Sequence, residues 1–160
     1  MHPNEALLHA FYQGFQRRDA EAMAACYAPD ATFSDPVFQG LKGAEVPAMW
    51  WMLAGRARDL TVRYSGVKAD DAHGQAVWEA TYSYGPARRK VQNIIHSKFE
   101  FRDGKIVAQR DTFNLWRWSR MALGTRGALL GWFPPLRGAI RREARKGLDA
   151  YMDAQNVSGQ

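Results

Sequence analysis

This sequence of 160 residues has only one cysteine and no long apolar run. A single cysteine, Cys26, excludes an internal disulfide bond and is compatible with a reducing compartment. No run of about 18 apolar residues occurs, and Met1–Glu5 lacks the basic flank and apolar stretch of a secretion signal. We therefore expect a cytoplasmic protein. His2, His9 and His73 have no spacing that would assemble a metal site, so we expect no metal.

The composition predicts one globular domain, because 46% of the residues are hydrophobic, 24% are charged and 12% are aromatic. The net charge is +6, but residues 1–114 carry 14 Lys and Arg against 13 Asp and Glu. Residues 115–160 carry eight against three, so the positive charge belongs to the C-terminal segment. Because no nucleic-acid-binding motif accompanies this charge, we predict that the protein does not bind nucleic acid.

Two kinds of pattern follow each other along the chain. Apolar residues at helical spacing predict helices over Glu5–Arg17, from Ala20 to Tyr27 after the N-cap residue Asp19, and through Trp50 and Trp51 to Arg56. A brief strand is predicted at Ala31–Asp35. β-Branched and aromatic residues then predict four longer strands, at Leu60–Lys68, Gln75–Tyr84, Lys90–Phe101 and Lys105–Phe113.

Short turns separate these strands, among them Gly85-Pro86 and Arg102-Asp103-Gly104. Such distances are typical of hairpins, so the sheet is predicted to be largely antiparallel. Helices followed by consecutive strands indicate an α+β domain in which the helices cover one face of a curved sheet. We assign residues 1–114 to this domain and residues 115–160 to a helical extension that packs on it.

The extension combines aromatic and basic residues. Its apolar, glycine-punctuated part precedes an amphipathic helix that begins near Leu136 and has a basic side. One hypothesis is that Trp116, Trp118, Trp132 and Phe133 contact an anionic membrane surface together with the arginines. The other is that these aromatic residues cover the open end of the domain and the arginines are solvated. We favour the second.

Two segments resemble the nuclear-transport-factor-2-like superfamily, which includes the ketosteroid isomerases, the SnoaL-like polyketide cyclases and the limonene epoxide hydrolases. The segment Tyr27–Val37, with its Asp-Pro-Val end, is similar to the isomerase pattern of aromatic residue, acidic turn and short strand. The segment Phe99–Val107 resembles the hairpin that joins the last two strands. The resemblance covers roughly residues 5–114. It implies a cone-shaped domain in which a curved sheet and N-terminal helices enclose a pocket, and a homodimer.

Asp35 stands where the resemblance places the carboxylate of the isomerases that shuttles a proton. A carboxylate on a pocket wall suits that chemistry because desolvation raises its pKa. The alternative is that an Asp before Pro caps a turn. We expect the pocket role.

Asp111 is the second catalytic candidate, because the resemblance places an acid or base of the cyclases and epoxide hydrolases at this strand. Its alternative role is an ion pair with Arg110 or Arg63. His96 precedes Asp111 by 15 residues, much as a histidine and an aspartate cooperate in SnoaL-like cyclases. Strand alternation nevertheless points His96 outward unless a bulge intervenes, because Ser97 should face inward.

The remaining candidates are predicted to line the substrate pocket. They are Phe11, Phe15, Trp50, Trp78, Tyr82, Ser97, Phe99, Gln109 and Phe113. Aromatic residues at such spacings also occur in ordinary cores, so both roles stay open here.

The chain departs from the family patterns at identifiable positions. The isomerases hold the enolate oxygen with a helix tyrosine and a protonated strand aspartate, and here Phe11 and Ser97 stand there. Tyr12 is turned about 100° around the helix from Phe11. The strand with Asn93, Ile95 and Ser97 also lacks the Arg-x-Asp pair of the epoxide hydrolases.

We therefore expect a protein that binds a small, largely apolar carbonyl compound and transfers protons between Asp35, Asp111 and that ligand, without cofactor. The alternative is a non-catalytic module of the same fold that binds small molecules or dimerises.

Overall fold

The computed structural model describes residues 1–159, so Gln160 of the predicted extension lies outside the described residues. Six helices and six strands form an α+β domain. In chain order they are α1 Pro3–Gln16, α2 Ala20–Ala24, β1 Tyr27–Ser34, β2 Leu41–Lys42, α3 Glu45–Arg56, β3 Thr61–Ala69, β4 His73–Tyr84, β5 Arg89–Arg102, β6 Lys105–Thr112, α4 Leu115–Leu123, α5 Thr125–Leu130 and α6 Pro134–Ser158. No helix among residues 1–159 has both the length and the apolarity needed to cross a membrane.

The six strands form one curved, unclosed sheet in the order β2-β1-β6-β5-β4-β3. The pairings β3–β4, β4–β5 and β5–β6 are antiparallel, which confirms the predicted hairpins. β1 lies parallel to β6, with Phe33 opposite Gln109. This pairing joins the N-terminal part of the chain to the last strand, and it brings the segments that carry Asp35 and Asp111 next to each other.

Strand β5 shows how the sequence sets the two faces of the sheet. From Val91 to Arg102 its residues alternate between buried and exposed, with the odd-numbered side chains buried. Ile95 and Phe99 belong to the main core, where they meet Phe11 of α1 and Trp50 of α3. The helices therefore cover one face of the sheet, as a period-2 pattern with one apolar side requires.

The turn between β5 and β6 follows from two residues. Asp103 and Gly104 both have positive φ, at 52° and 72°, and they connect Arg102 directly to Lys105 in the paired strands. Two-residue hairpins favour this backbone because its twist matches that of the strands, and the Asp-Gly dipeptide tolerates it.

The second helix is shorter than predicted. It ends at Ala24, and Tyr27, expected to close it, begins β1 instead. Tyr27 pairs with Ile106 of β6 in the parallel ladder, and the Ile106 amide donates a hydrogen bond to the Cys26 carbonyl. A contact between distant segments thus outweighs the local helix preference of this alanine-rich stretch.

Helices α4, α5 and α6 follow the last strand, and α4 packs against the sheet. Leu115, Trp118 and Ala122 of α4 form a small core with Val91 of β5. α4 and α5 cross so closely that a Cβ on Gly127 would lie 1.8 Å from the Ser119 carbonyl oxygen.

α6 packs on the main core through the buried Leu148, and two polar contacts also attach it to the rest of the domain. Arg145 forms an ion pair with Glu45 of α3. Arg141 donates a hydrogen bond of 2.9 Å from Nε to the Pro36 carbonyl, next to Asp35. The start of α6, at Pro134, agrees with the predicted helix near Leu136 to within two residues.

Candidate active site

A cavity of about 700 Å³ lies between the sheet, α3 and the C-terminal helices. Its wall is mainly apolar, as in most small-molecule sites. Asp35 and Asp111 both line it, and they reach it from different elements. Asp35 follows β1, whereas Asp111 is on β6, so the parallel pairing of these strands accounts for their common location.

Asp111 is buried, with 2% of its surface exposed. Its Oδ1 accepts two hydrogen bonds, from Ser97 Oγ at 2.6 Å and from Gln109 Nε2 at 3.0 Å. Its Oδ2 is buried and has no partner among the described residues. Because Oδ1 is occupied by two donors, a proton on this carboxyl group resides on Oδ2. Oδ2 is therefore the oxygen of Asp111 that can still form a hydrogen bond.

Ser97 organises the first half of the surrounding network. Its hydroxyl donates to Asp111 and accepts from Tyr12 at 3.1 Å and from the Trp78 indole at 3.0 Å. One donor and two acceptor sites are all that a serine hydroxyl has, so Ser97 is fully engaged. It holds Asp111 in position and has no further hydrogen bond for a ligand.

Gln109 organises the second half. Its amide nitrogen donates to Asp111, while its carbonyl oxygen accepts from the Tyr27 hydroxyl. Tyr27 in turn accepts from the Trp50 indole at 2.8 Å. Burial raises the pKa of the Tyr27 hydroxyl well above its ordinary value, so it stays protonated and acts as a donor. The side chains of both halves fix the orientation of one carboxyl group.

Asp35 combines the two roles considered from the sequence. Its Oδ1 accepts hydrogen bonds from the backbone amides of Val37 at 2.7 Å and Phe38 at 2.6 Å, so it caps the turn after β1. The same half-buried side chain lines the cavity. Turn capping and a place on the cavity wall are thus compatible.

Both carboxyl groups have a raised pKa, because burial desolvates them and neither forms an ion pair with a cation of the described residues. Burial, with a smaller contribution from the charge of Asp35, raises the pKa of Asp111 to about 7, against the opposing hydrogen bonds of Ser97 and Gln109. Burial raises the pKa of Asp35 to about 6, although its two backbone amide bonds oppose the shift. No Lys or Arg of residues 1–159 forms an ion pair with either group, so Arg110 and Arg63 do not partner Asp111.

The structure brings together part of the predicted pocket. Asp35, Asp111, Phe15, Trp50, Trp78, Tyr82 and Phe113 line the cavity. The other four predicted lining residues, Phe11, Ser97, Phe99 and Gln109, are buried behind its wall. Phe11 and Phe99 pack against each other in the core, at 6.4 Å between ring centroids, and the other two are held by the network around Asp111.

His96 does not join the site. It is exposed, and its neighbours Ile95 and Ser97 are buried, because β5 keeps its alternation at this position. The bulge in the β5–β6 pairing occurs further along, between Glu100 and Phe101, and leaves His96 on the outer face.

Tyr12 has a place in the network around Asp111 that was not predicted from the sequence. Its hydroxyl reaches Ser97, whereas Phe11, at the position that resembles the isomerase tyrosine, has no polar group there. The helix therefore presents its tyrosine one residue later than the family pattern. A buried aromatic with a polar tip requires a partner, and the inward-facing Ser97 was the available signal.

The C-terminal helices supply lining residues, of which the sequence indicated only Trp118. Trp118, Leu123 and Arg126 of α4 and α5 line the cavity, as do Leu136 and Ile140 of α6. Asn93 of β5 also faces it, and its odd-numbered position on β5 could have predicted this.

Among residues 1–159, no three His, Cys, Asp or Glu side chains are grouped closely enough to hold a metal ion.

The family model described as a SnoaL-like domain matches residues 8–109, which is more than half of the sequence. The chain belongs to the SnoaL-like domain family. The match spans α1 through most of β6 and thus contains Asp35, whereas Asp111 lies two residues beyond it. A comparison with curated protein sequences finds no match.

Solved structures show that this SnoaL-like domain has the fold of nuclear-transport-factor-2-like proteins. An LEH-like epoxide hydrolase of M. tuberculosis has a TM-score of 0.64 at 22% identity, covering 82% of this chain and 96% of that chain. A putative SnoaL-like polyketide cyclase of Jannaschia sp. CCS1 has a TM-score of 0.66 at 13% identity, covering 77% and 92%. TerC, co-crystallised with polyporic acid, has a TM-score of 0.64 at 16% identity, covering 76% and 98%. The predicted family and α+β fold are confirmed.

Proposed function

We propose that this SnoaL-like domain binds a small, largely apolar carbonyl compound in its cavity and catalyses proton transfer of the isomerase or cyclase type. The observation that carries the proposal is the pair of carboxyl groups, Asp35 and Asp111, on the wall of one apolar cavity. Both have a raised pKa, and neither is neutralised by a cation of the described chain. Groups that titrate near neutral pH are suited to give and take protons.

The two groups differ in a way that assigns their roles. Asp111 has the higher pKa and an Oδ2 without a hydrogen-bond partner, so it is the acid. Asp35 has the lower pKa and accepts two backbone hydrogen bonds, so it is the base. The charge of Asp35 favours the protonated form of Asp111, and the active form has Asp111 protonated and Asp35 ionised.

The proposed step balances without a cofactor. Asp35 removes a proton from the carbon next to the carbonyl group, and the electrons of that C–H bond form the enol double bond. The carbonyl oxygen takes the proton from Asp111 Oδ2. In a conjugated enol, Asp35 returns its proton to a more distant carbon while the enol O–H proton goes back to Asp111 Oδ2, which re-forms the ketone and completes an isomerisation. Alternatively, the enol carbon attacks a second carbonyl group, whose oxygen takes the proton held by Asp35 while the enol O–H proton goes back to Asp111, and a ring closes. No net oxidation or reduction occurs.

The structural relatives support the proposal that the ligand is a small organic molecule, but they do not bear on the reaction. TerC was crystallised with polyporic acid, so this fold accommodates a small organic ligand in at least one protein. The identities of 13–22% connect these proteins to this chain by fold alone. A homodimer and a cytoplasmic location remain predictions from the sequence.

Deuterium exchange into 1-tetralone, an enolisable aromatic ketone, tests the proposal. We expect the parent protein to accelerate incorporation at the carbon next to the carbonyl above the buffer rate, as followed by proton NMR in D₂O. Asp111→Asn and Asp35→Asn should each lose most of this acceleration. Asp153→Asn, an exposed substitution on α6, serves as the matched control and should retain it. Equal exchange by the parent and Asp111→Asn would refute the mechanism.

A non-catalytic binding module is the second candidate, and one observation favours it. Tyr12 and Ser97 hydrogen-bond each other, and Ser97 has no free donor for a ligand oxygen. Saturable binding of 1-tetralone, measured by quenching of tryptophan fluorescence, without exchange in any variant would support this second function.

A further inference from the structure

An apolar surface patch on the C-terminal helices plays no part in the proposed chemistry. We define the C-terminal patch by its exposed members, Trp116, Leu129, Leu130, Trp132 and Phe133. Leu129 and Trp132 are each 65% exposed, and Phe133 is 42% exposed. Trp118, which was predicted to cover the open end of the domain together with Trp116, Trp132 and Phe133, is buried and lines the cavity.

The patch is contiguous. The Trp116 indole donates a hydrogen bond of 3.1 Å to the Ala128 carbonyl, which attaches α4 to the chain just before Leu129. Trp116 Cδ1 is also 3.1 Å from the Cβ position at Gly131, the residue before Trp132. The rings of Trp132 and Phe133 pack with their centroids 6.0 Å apart. Apolar groups in such an arrangement form one surface instead of isolated exposed side chains.

The charged residues of the segment that carries the patch have one sign. Between Asp111 and Glu143 the sequence has six arginines and no acidic residue. Arg117, Arg120 and Arg126 come from the same helices as the patch and are exposed. The Arg120 guanidinium lies 4.7 Å over the Trp116 ring, at the edge of the patch. Within residues 1–159, no Asp or Glu forms an ion pair with these three arginines.

We propose that the C-terminal patch binds the surface of a lipid bilayer that contains anionic lipids. Tryptophan and phenylalanine insert at the interface between headgroups and acyl chains, and nearby arginines bind the phosphate groups. A second copy of this chain fits the patch less well, because self-association would place the same uncompensated arginines against each other. The proposal needs no spanning helix, and it is independent of catalysis in the cavity.

Flotation with vesicles tests the proposal. The probes are vesicles of phosphatidylcholine alone and vesicles in which about one third is replaced by phosphatidylglycerol. We expect the full chain to float with the anionic vesicles and not with the neutral ones, and to dissociate from them as the salt concentration rises. The double variant Trp132→Ser/Phe133→Ser should lower the bound fraction by about tenfold or more, because it removes the inserted rings.

Matched controls separate the patch from unspecific effects. Ile94→Ser removes an apolar side chain that is 40% exposed on the outer face of β5, and Arg110→Gln removes an exposed arginine of β6. Both should float like the parent, whereas Arg117→Gln/Arg120→Gln should bind the anionic vesicles several-fold less. Near-ultraviolet circular dichroism of each variant establishes that the fold is kept.

Three results would overturn the proposal. The first is no flotation of the parent with anionic vesicles. The second is equal flotation of the parent and Trp132→Ser/Phe133→Ser. The third is a dimer in lipid-free solution, seen by sedimentation velocity, that the same double variant dissociates; the patch would then be an interface between two copies.

Discussion

The substitution Asp111→Asn should change the stability of the protein in a pH-dependent manner. The pKa of Asp111 is about 7 in the folded chain, against 3.8 for a free aspartate. A raised pKa means that ionisation of the folded carboxyl group is unfavourable, so its cost is absent below pH 4 and grows as the pH rises towards 7. At about 1.36 kcal/mol for each pH unit, this cost is roughly 1.6 kcal/mol at pH 5 and roughly 4 kcal/mol at pH 8.

Asparagine has the shape of aspartate but does not titrate. Its Oδ1 accepts the same bonds from Ser97 and Gln109, and its amide nitrogen stands where the protonated Oδ2 was. We therefore expect the free energy of unfolding of Asp111→Asn, relative to the parent, to increase by about 2–3 kcal/mol between pH 5 and pH 8.

Urea unfolding of both proteins at the two pH values measures this difference, with Asp153→Asn as an exposed control that should show none. If the difference between Asp111→Asn and the parent is the same at pH 5 and pH 8, then Asp111 does not titrate in this range and its role as the acid is refuted. If Asp111→Asn is less stable at both values by a similar amount, the carboxylate is a structural element of the network.

Three further substitutions test the carboxyl pair, the network around Asp111 and the crossing of α4 and α5. Asp35→Asn removes a negative charge near Asp111 and should lower the pKa of Asp111, as measured by the carboxyl stretching band in an infrared titration. Ser97→Ala removes a donor to Asp111 and leaves two buried donors without an acceptor, so it should destabilise the fold by about 2–4 kcal/mol in urea unfolding, whereas Ser97→Thr should cost less. Gly127→Ala forces a methyl group against the Ser119 carbonyl, so it should cost about 3 kcal/mol in a thermal scan; a loss below 0.5 kcal/mol, roughly that of a surface change, would contradict the close crossing of α4 and α5.

The sequence predicted those parts of the fold that local patterns determine. The alternation along β5 correctly placed Ser97 inward, and the Asp103-Gly104 dipeptide correctly predicted the last hairpin. The end of α2 was wrong, because the pairing of Tyr27 with Ile106 is a contact between segments far apart in sequence. A helix preference is small for each residue, so such a contact readily outweighs it.

The two carboxyl groups of the candidate site could be predicted from the sequence, but most of the residues of the C-terminal helices that line its cavity could not. Asp35 and Asp111 were found from their strand positions and from the resemblance to the isomerases and cyclases. Tyr12 was predicted to have a minor role. Phe11 and Tyr12 lie about 100° apart around the helix, and this angle alone does not determine which of the two side chains reaches the facing strand. The lining by Arg126 and Ile140 depends on how α4–α6 pack, and no periodicity in the sequence specifies that packing.

The parallel pairing of β1 with β6 has a consequence for the order of folding. The hydrogen bond from Tyr27 to Gln109 joins residues 82 positions apart, and it forms part of the network that orients Asp111. Contacts with such long sequence separation carry a large loop-closure entropy and tend to form late. A chain that ends before β6 has α1–α3 and β1–β5 but no Asp111 on the cavity wall. Completion of the sheet and assembly of the carboxyl pair are therefore one event.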